Sequence, residues 1–249
     1  MAGKLKKTDK IMIVVGVVAL VALGLSNYLG AKLKNFPEEL NAATTIEAVA
    51  EDIVAEASFD LDAASQERIM GDPNAPIKIS EHSSLTCGHC GNFHRTIFKE
   101  FKAAYIDTGK AYLVFSDFPL NAPALHATKA SRCIADDNQY FAFLDKLFTE
   151  QESWAYEASY MSYLEKTAGE FGLDSVTFEA CVNSQELQDN LVARIQANQS
   201  QYGVNSTPSF VINNQITING GHDFASFDAN IQGALAEIKA AAQGGNPAE

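Results

Sequence analysis

The sequence predicts an α/β fold in which a βαβ unit, an all-helical insertion and a ββα unit follow one another. Three observations predict it. Residues 77–81 alternate as a short strand, pass through a polar loop and meet Cys87-Gly88-His89-Cys90 at the start of a helical pattern. From residue 122 to 202 the apolar positions recur at three and four, without a strand among them. Strand patterns return at 209–212 and 215–219, and an Ala-rich helix over about 224–242 closes the chain.

Composition bounds the function. With 249 residues and 47% hydrophobic side chains, the chain can build a substantial core in one or two domains. Its net charge of −13 is unevenly spread. The first 34 residues carry six lysines and one acid, Asp9, so the remainder stands at −18. A body this acidic repels phosphate, which argues against nucleic acid as a partner.

The N-terminus carries four lysines before Ile11 and no further charge until Lys32. The uncharged run 11–31 is 21 residues long, about enough to cross a bilayer as a helix. Lysines ahead of it place that end in the cytoplasm. The alternative is a cleaved signal peptide with Ala22-Leu23-Gly24 at its cleavage site. The anchor is the favoured reading, and either one exports residues 35–249. Residues 35–69 read as a helical stalk, with Ile46, Val49, Ile53 and Val54 at helical spacing. The turn-rich stretch 70–76 then opens the globular domain, 70–242. The last residues, 243–249, read as a flexible tail.

Within that domain the first helix is expected over about 88–108, with Phe93, Ile97, Phe98, Phe101 and Tyr105 on one face and Gly109 ending it. The strand 111–115 follows by a crossover helix, so it should pair parallel with 77–81. Asn213-Asn214 suits a two-residue hairpin turn between the last two strands.

The chemistry centres on Cys87 and Cys90. A cysteine in the first helical turn meets unpaired N–H groups and the positive end of the helix dipole, which favour its thiolate. His89 stands between the two sulfurs as a donor or a positive charge for Cys87. Cys90 lies one turn on, placed to attack a mixed disulfide formed at Cys87. If the Cys87 pKa falls from ~8.5 to ~5.5, the reduced state gains ~2 kcal/mol at neutral pH, or ~45 mV. A more stable dithiol makes its disulfide a stronger oxidant. Glu81 stands six residues ahead of Cys87 near the end of the first strand, where a buried acid is expensive without a partner or a chemical role; a Glu on a solvent-facing edge is the alternative. Thr207-Pro208 precedes a strand that should be central, where proline is unwelcome. A cis-proline at the strand's start resolves that conflict, with a trans-proline in a loop as the alternative.

Several of these features, taken in order, resemble one family. They are Glu81, Cys87-Gly88-His89-Cys90, the strand ending Ser116-Asp117-Phe118-Pro119-Leu120, the helical insert, and Val204-Asn205-Ser206-Thr207-Pro208-Ser209-Phe210. The chain over about 70–242 resembles the DsbA-like thiol–disulfide oxidoreductases of the bacterial cell envelope, which have a thioredoxin fold with a helical insert. The resemblance implies that Pro208 is cis, that Thr207 offers its backbone to an extended substrate peptide, and that Glu81 lies beneath the cysteines and helps proton transfer. It implies reduced protein substrates, reoxidation by a membrane quinone-linked, DsbB-like partner, and a place on the periplasmic side of the inner membrane. It implies no cofactor beyond the redox-active disulfide Cys87–Cys90. The family's best-known dipeptide has proline where this chain has Gly88, and Gly-His is shared with oxidising isomerases. A disulfide isomerase or chaperone of the same fold, dimerised through the stalk, and a non-enzymatic membrane-anchored scaffold are the alternatives.

The remaining cysteines, Cys133 and Cys181, lie 48 residues apart in the insert. Spacing assigns 87 to 90, which leaves 133 to 181, a structural bridge worth ~4 kcal/mol by loop entropy. Two buried free thiols are the alternative. His82 and His94 could be drawn with Cys87 and Cys90 as a zinc site, but the spacing matches no finger, and no metal is expected. His126 and His222 read as helix-start or surface residues. Trp154, Tyr156, Tyr160 and Tyr163 read as packing of the insert, with a peptide groove as the lesser alternative.

Overall fold

The computed structural model describes residues 59–220 and 223–244. The anchor or signal segment expected at 11–31, the stalk up to residue 58, His222 and the last five residues lie outside them. Among the described residues no helix is long and apolar enough to cross a membrane.

A short helix α1 (Leu61–Ala64) leads into strand β1 (Arg68–Met70), followed by β2 (Ile77–Ser83). The active-site helix α2 (Gly88–Thr96) continues as α3 (Phe98–Phe101) and a π-helical turn (Lys102–Ile106). Strand β3 (Ala111–Asp117) precedes the insert: α4 (Ala122–Arg132), α5 (Asp137–Thr149), a 3-10 turn (Gln151–Ser153), α6 (Tyr160–Glu170), α7 (Ser175–Asn183) and α8 (Gln185–Tyr202). Strands β4 (Ser209–Ile212) and β5 (Ile216–Asn219) and the helix α9 (Phe224–Gly244) complete the domain. This is the expected βαβ–insert–ββα order of a thioredoxin-like fold.

The strands form one sheet in the order β1-β3-β2-β4-β5. β2 and β3 are parallel, as a crossover helix requires, and the other pairs are antiparallel. Asn213 and Asn214 both take positive φ in the turn between β4 and β5, which Gln215 N–H closes onto Ile212 C=O at 3.0 Å. Asparagine tolerates that left-handed region better than other side chains do.

Alternation along β2 sorts its side chains. Ile79 joins Leu113, Phe210 and Ile212 in packing against Phe93, Ile97 and Phe101 of the active-site helix and Phe227 and Ile231 of α9. A second core joins Cys90, Leu85 and Phe115 to the insert through Phe143, Leu144, Leu147, Phe148 and Trp154. The active-site helix is therefore wedged between sheet and insert.

Three expectations are corrected. The stalk does not run to 69: Arg68–Met70 pairs antiparallel with β3, Arg68 opposite Phe115. Arg68 is buried, donates to the Arg132 carbonyl at 3.0 Å and pairs with Asp137 at 2.7 Å. These bonds tie β1 to the carbonyls that end α4, so the domain begins ahead of residue 70. The single helix expected over 88–108 is broken at Ile97 (φ −114°), and its last turn is wound as a π-helix before Gly109 (φ +68°) ends it. At the other end, α9 runs two residues into the expected tail.

Candidate active site

Strand β2 delivers the chain to a buried loop, Ser84-Leu85-Thr86, and Cys87 follows as the N-cap of α2. Cys87 is extended (φ −79°, ψ 120°), and its carbonyl accepts the first helical bond from Gly91 N–H at 3.0 Å. Its thiol is half-buried, whereas Cys90 is fully buried, and both are free thiols.

The two sulfurs titrate in opposite directions. The Cys87 pKa is lowered to about 5, chiefly because the Cys90 thiol donates a hydrogen bond to its anion; burial opposes this, and Thr207 and the backbone N–H groups of Cys90 and His89 add to it. Burial pushes the Cys90 thiol far up, and the adjacent Cys87 sulfur pushes it further. At neutral pH the reduced site therefore holds one proton, on Cys90. His89 contributes its backbone N–H to the Cys87 anion, and its exposed side chain lines a groove.

That groove holds about 330 Å³ and runs between His89 and Asn92 on one side and Ser206, Thr207, Pro208 and Asn219 on the other. The Thr207–Pro208 peptide is cis, as expected. Cys87 Sγ lies 3.5 Å from the Thr207 carbonyl oxygen. The half-buried Cys87 thus stands beside the proline-bordered ledge.

Glu81 is fully buried. Its carboxylate is engaged one turn beyond the cysteines: Oε1 lies 2.8 Å from His94 Nε2. His94 follows Cys90 by four residues on the same face of α2 and stacks on Phe148 at 3.9 Å. His82, next in β2, points to the opposite side of the sheet; it is buried and both ring nitrogens lack a hydrogen-bond partner. The two histidines therefore do not converge with the cysteines.

Sequence reasoning missed Gln151. From the 3-10 turn of the insert its buried amide donates to the carbonyls of Leu85 (2.8 Å) and Cys87 (3.0 Å). It fixes the loop that carries the nucleophile. Gly91 makes room for it: a Cβ there would stand 2.5 Å from Gln151 Oε1. A glycine one residue after Cys90 was the available signal. Among the aromatic residues, Trp154 is fully buried and bonds the Leu147 carbonyl, consistent with packing. Tyr156 is instead 70% exposed, with its hydroxyl donating to the Thr86 carbonyl beside Cys87. Cys133 and Cys181 are joined as a disulfide with Cα atoms 6.4 Å apart, linking the end of α4 to α7.

The fold and sequence have counterparts among known proteins. A family model described as thioredoxin matches residues 63–232. The crystal structure of Wolbachia pipientis alpha-DsbA1 superposes with a TM-score of 0.63 at 30% identity, covering 70% of this chain and 94% of that one. Chlamydia trachomatis DsbA, 24% identical, shares the fold with a TM-score of 0.58, covering 72% of this chain and 94% of that one. A Rickettsia felis protein named "Putative protein-disulfide oxidoreductase" is 30% identical over 171 residues, 69% of this chain and 61% of its own length. The chain thus spans about three fifths of that curated relative.

Proposed function

The chain belongs to the DsbA-like thiol–disulfide oxidoreductases of the thioredoxin fold, and from that premise we propose that it donates a Cys87–Cys90 disulfide to reduced, exported proteins. One observation carries the direction. The half-buried Cys87 holds a thiolate stabilised to about 5, which favours the dithiol and so makes the disulfide an oxidant.

Of Cys87 and Cys90 only Cys87 is reached by solvent, so a substrate thiolate attacks there while its backbone lies along Thr207-Pro208. Cys90 leaves, and a second substrate thiol displaces Cys87 and departs with the new disulfide. Export is supported by the Cys133–Cys181 bridge, because such bonds persist in oxidising compartments. The sequence 1–34 supports an inner-membrane anchor with the domain on the periplasmic side. A quinone-linked membrane partner reoxidising Cys90-Cys87 completes the cycle.

The experiment is direct. Oxidised protein is mixed with a reduced dithiol peptide and with a scrambled disulfide protein, and products are trapped by alkylation. Stoichiometric oxidation of the peptide, lost in Cys87→Ser, supports the proposal. Reshuffling of the scrambled protein without net oxidation of the peptide would assign an isomerase instead.

A further inference from the structure

Disulfide donation requires a proton inside the protein. A substrate thiolate forms a bond to Cys87 Sγ, the Cys87–Cys90 bond breaks, and its electron pair goes to Cys90 Sγ. That sulfur is fully buried and its thiol is strongly favoured over its anion, so it takes up one proton. The second substrate thiolate then releases Cys87 as an anion, which needs none. One proton therefore enters per disulfide transferred, and it arrives while the bound peptide covers the Cys87 opening. On the insert side Cys90 shares an apolar cluster with Leu85, Phe115 and Phe148.

The other side is different. Glu81 and Ser83 lie two residues apart on one face of β2, about 7 Å along the strand. Cys90 and His94 lie one turn apart on the facing side of α2, about 6 Å along its axis. Ser83 turns its hydroxyl to Cys90, where it favours the thiolate without the geometry of a full hydrogen bond. Glu81 Oε1 holds His94 Nε2 at 2.8 Å, and Glu81 Oε2 is buried with no partner. His94 also lines a separate groove of about 900 Å³ between the active-site helix, β1 and α5. This groove is on none of the surfaces that a substrate at Pro208 would occupy.

We propose that His94 is the proton port of the buried thiol, connecting this rear groove to Cys90 through Glu81. A proton taken up from solvent at Nδ1 allows Nε2 to pass its own to Glu81; from there it passes to the Ser83 hydroxyl, likewise without a partner, which gives its own proton to the Cys90 thiolate. The charged groups facing His94 are Glu81 from β2 and, around the groove, Arg95, Lys99 and Lys102 against Asp107, Asp137 and Asp145. Three cations and three anions leave the groove without a strong field of its own. His94 acts through Glu81 and touches no substrate, so its role is to position and conduct the proton, not to react. This inference rests on the disulfide-donor reading.

The test uses the oxidised full-length protein and a reduced dithiol peptide in single-turnover rapid mixing. His94→Gln keeps a hydrogen-bond partner for Glu81 but cannot carry a proton; His94→Ala opens the port to added imidazole. The expected result is a loss of roughly 10- to 100-fold in the rate of peptide oxidation at neutral pH in His94→Gln, with the equilibrium against glutathione unchanged. Imidazole should restore His94→Ala and leave the wild type unaffected. A His94→Gln protein as fast as wild type overturns the proposal. So does a rate loss matched by an equal shift in the glutathione equilibrium, because that marks an electrostatic or structural role. If His94→Ala does not fold, buffer-concentration dependence of the His94→Gln rate replaces the imidazole arm, and a rate independent of buffer overturns the port. A wild type that never oxidises the peptide instead overturns the donor reading.

Discussion

Cys87 Sγ and the Thr207 carbonyl oxygen lie 3.5 Å apart although 120 residues separate them. The contact joins the start of α2 to the cis-proline ledge ahead of β4. It also sets what tunes the nucleophile, because the groups nearest Cys87 are those that decide its charge.

The first prediction separates those groups. The Cys90 thiol is the main donor to the Cys87 anion, while the imidazole of His89 is exposed. Cys90→Ala should raise the Cys87 pKa by about one unit or more, the worth of a hydrogen bond to a charged group. His89→Ala should leave it within about half a unit, because the backbone N–H remains. Thiolate ultraviolet absorbance during a pH titration of each variant measures both. A larger shift in His89→Ala than in Cys90→Ala would return the imidazole to the leading role.

The reduction potential should change its pH slope near pH 5. Above that pH the dithiol carries one proton, on Cys90, and below it two. The potential of the Cys87–Cys90 couple should fall by about 30 mV per pH unit between pH 6 and 8 and by about 59 mV per unit below 5. The same shift acts on the stability of the reduced protein. Between about 5 and the ordinary thiol value near ~8.5, the folded Cys87 binds fewer protons than the unfolded one. Its contribution is therefore full above ~8.5, declines as pH falls, and is gone below about 5. Urea unfolding of reduced against oxidised protein across that range reads it, and a difference flat in pH would contradict the lowered pKa.

Much of this site is legible in the sequence because its signals are local. Cys87 and Cys90 at a helix start, Pro208 ahead of a central strand and Asn213-Asn214 between two short strands each state their geometry within a few residues. The Glu81–His94 pair was within reach too, since His94 is one turn past Cys90, but only pairing across β2 and α2 reveals that the two meet. What stayed hidden depends on long-range contact. A three-residue edge strand at Arg68–Met70 has no room for a periodic signal and exists because Phe115 lies opposite Arg68. The buried pair Arg132–Asp117, with Nε to Oδ2 at 2.6 Å, joins α4 to the end of β3. Nothing in the spacing of those residues distinguishes them from a solvated pair. Gln151 reaches the active-site loop from 64 residues downstream of Cys87.

His82 should make the protein acid-sensitive. Burial lowers its pKa to about 4 despite the opposing charge of Glu81, and neither ring nitrogen has a partner to compensate protonation. Between about 4 and the unperturbed ~6.5, the unfolded state binds the extra proton. Stability from this residue is present above ~6.5 and falls as the pH drops through that window, by about 3 kcal/mol in all. His82→Phe should flatten the dependence of urea midpoint on pH between 6.5 and 4. An unchanged slope would place the acid sensitivity elsewhere.

The Cys133–Cys181 bridge should act on stability and leave exchange chemistry alone. Cys133 caps the end of α4 and Cys181 is buried in α7, so the bond closes a 48-residue loop through most of the insert. Loop-closure entropy for that span is worth about 4 kcal/mol. Both sulfurs pack at the insert side of the domain, Cys133 against Ile134's core and against Leu187 and Leu191, whereas Cys87 answers to Cys90, Thr207 and the first turn of α2. The double variant Cys133→Ala/Cys181→Ala should therefore lose about 4 kcal/mol in denaturant unfolding and keep the Cys87 pKa near about 5. If the glutathione equilibrium of Cys87–Cys90 moved with the loss of this bridge, the second disulfide would be coupled to the redox centre and would have to be counted as part of it.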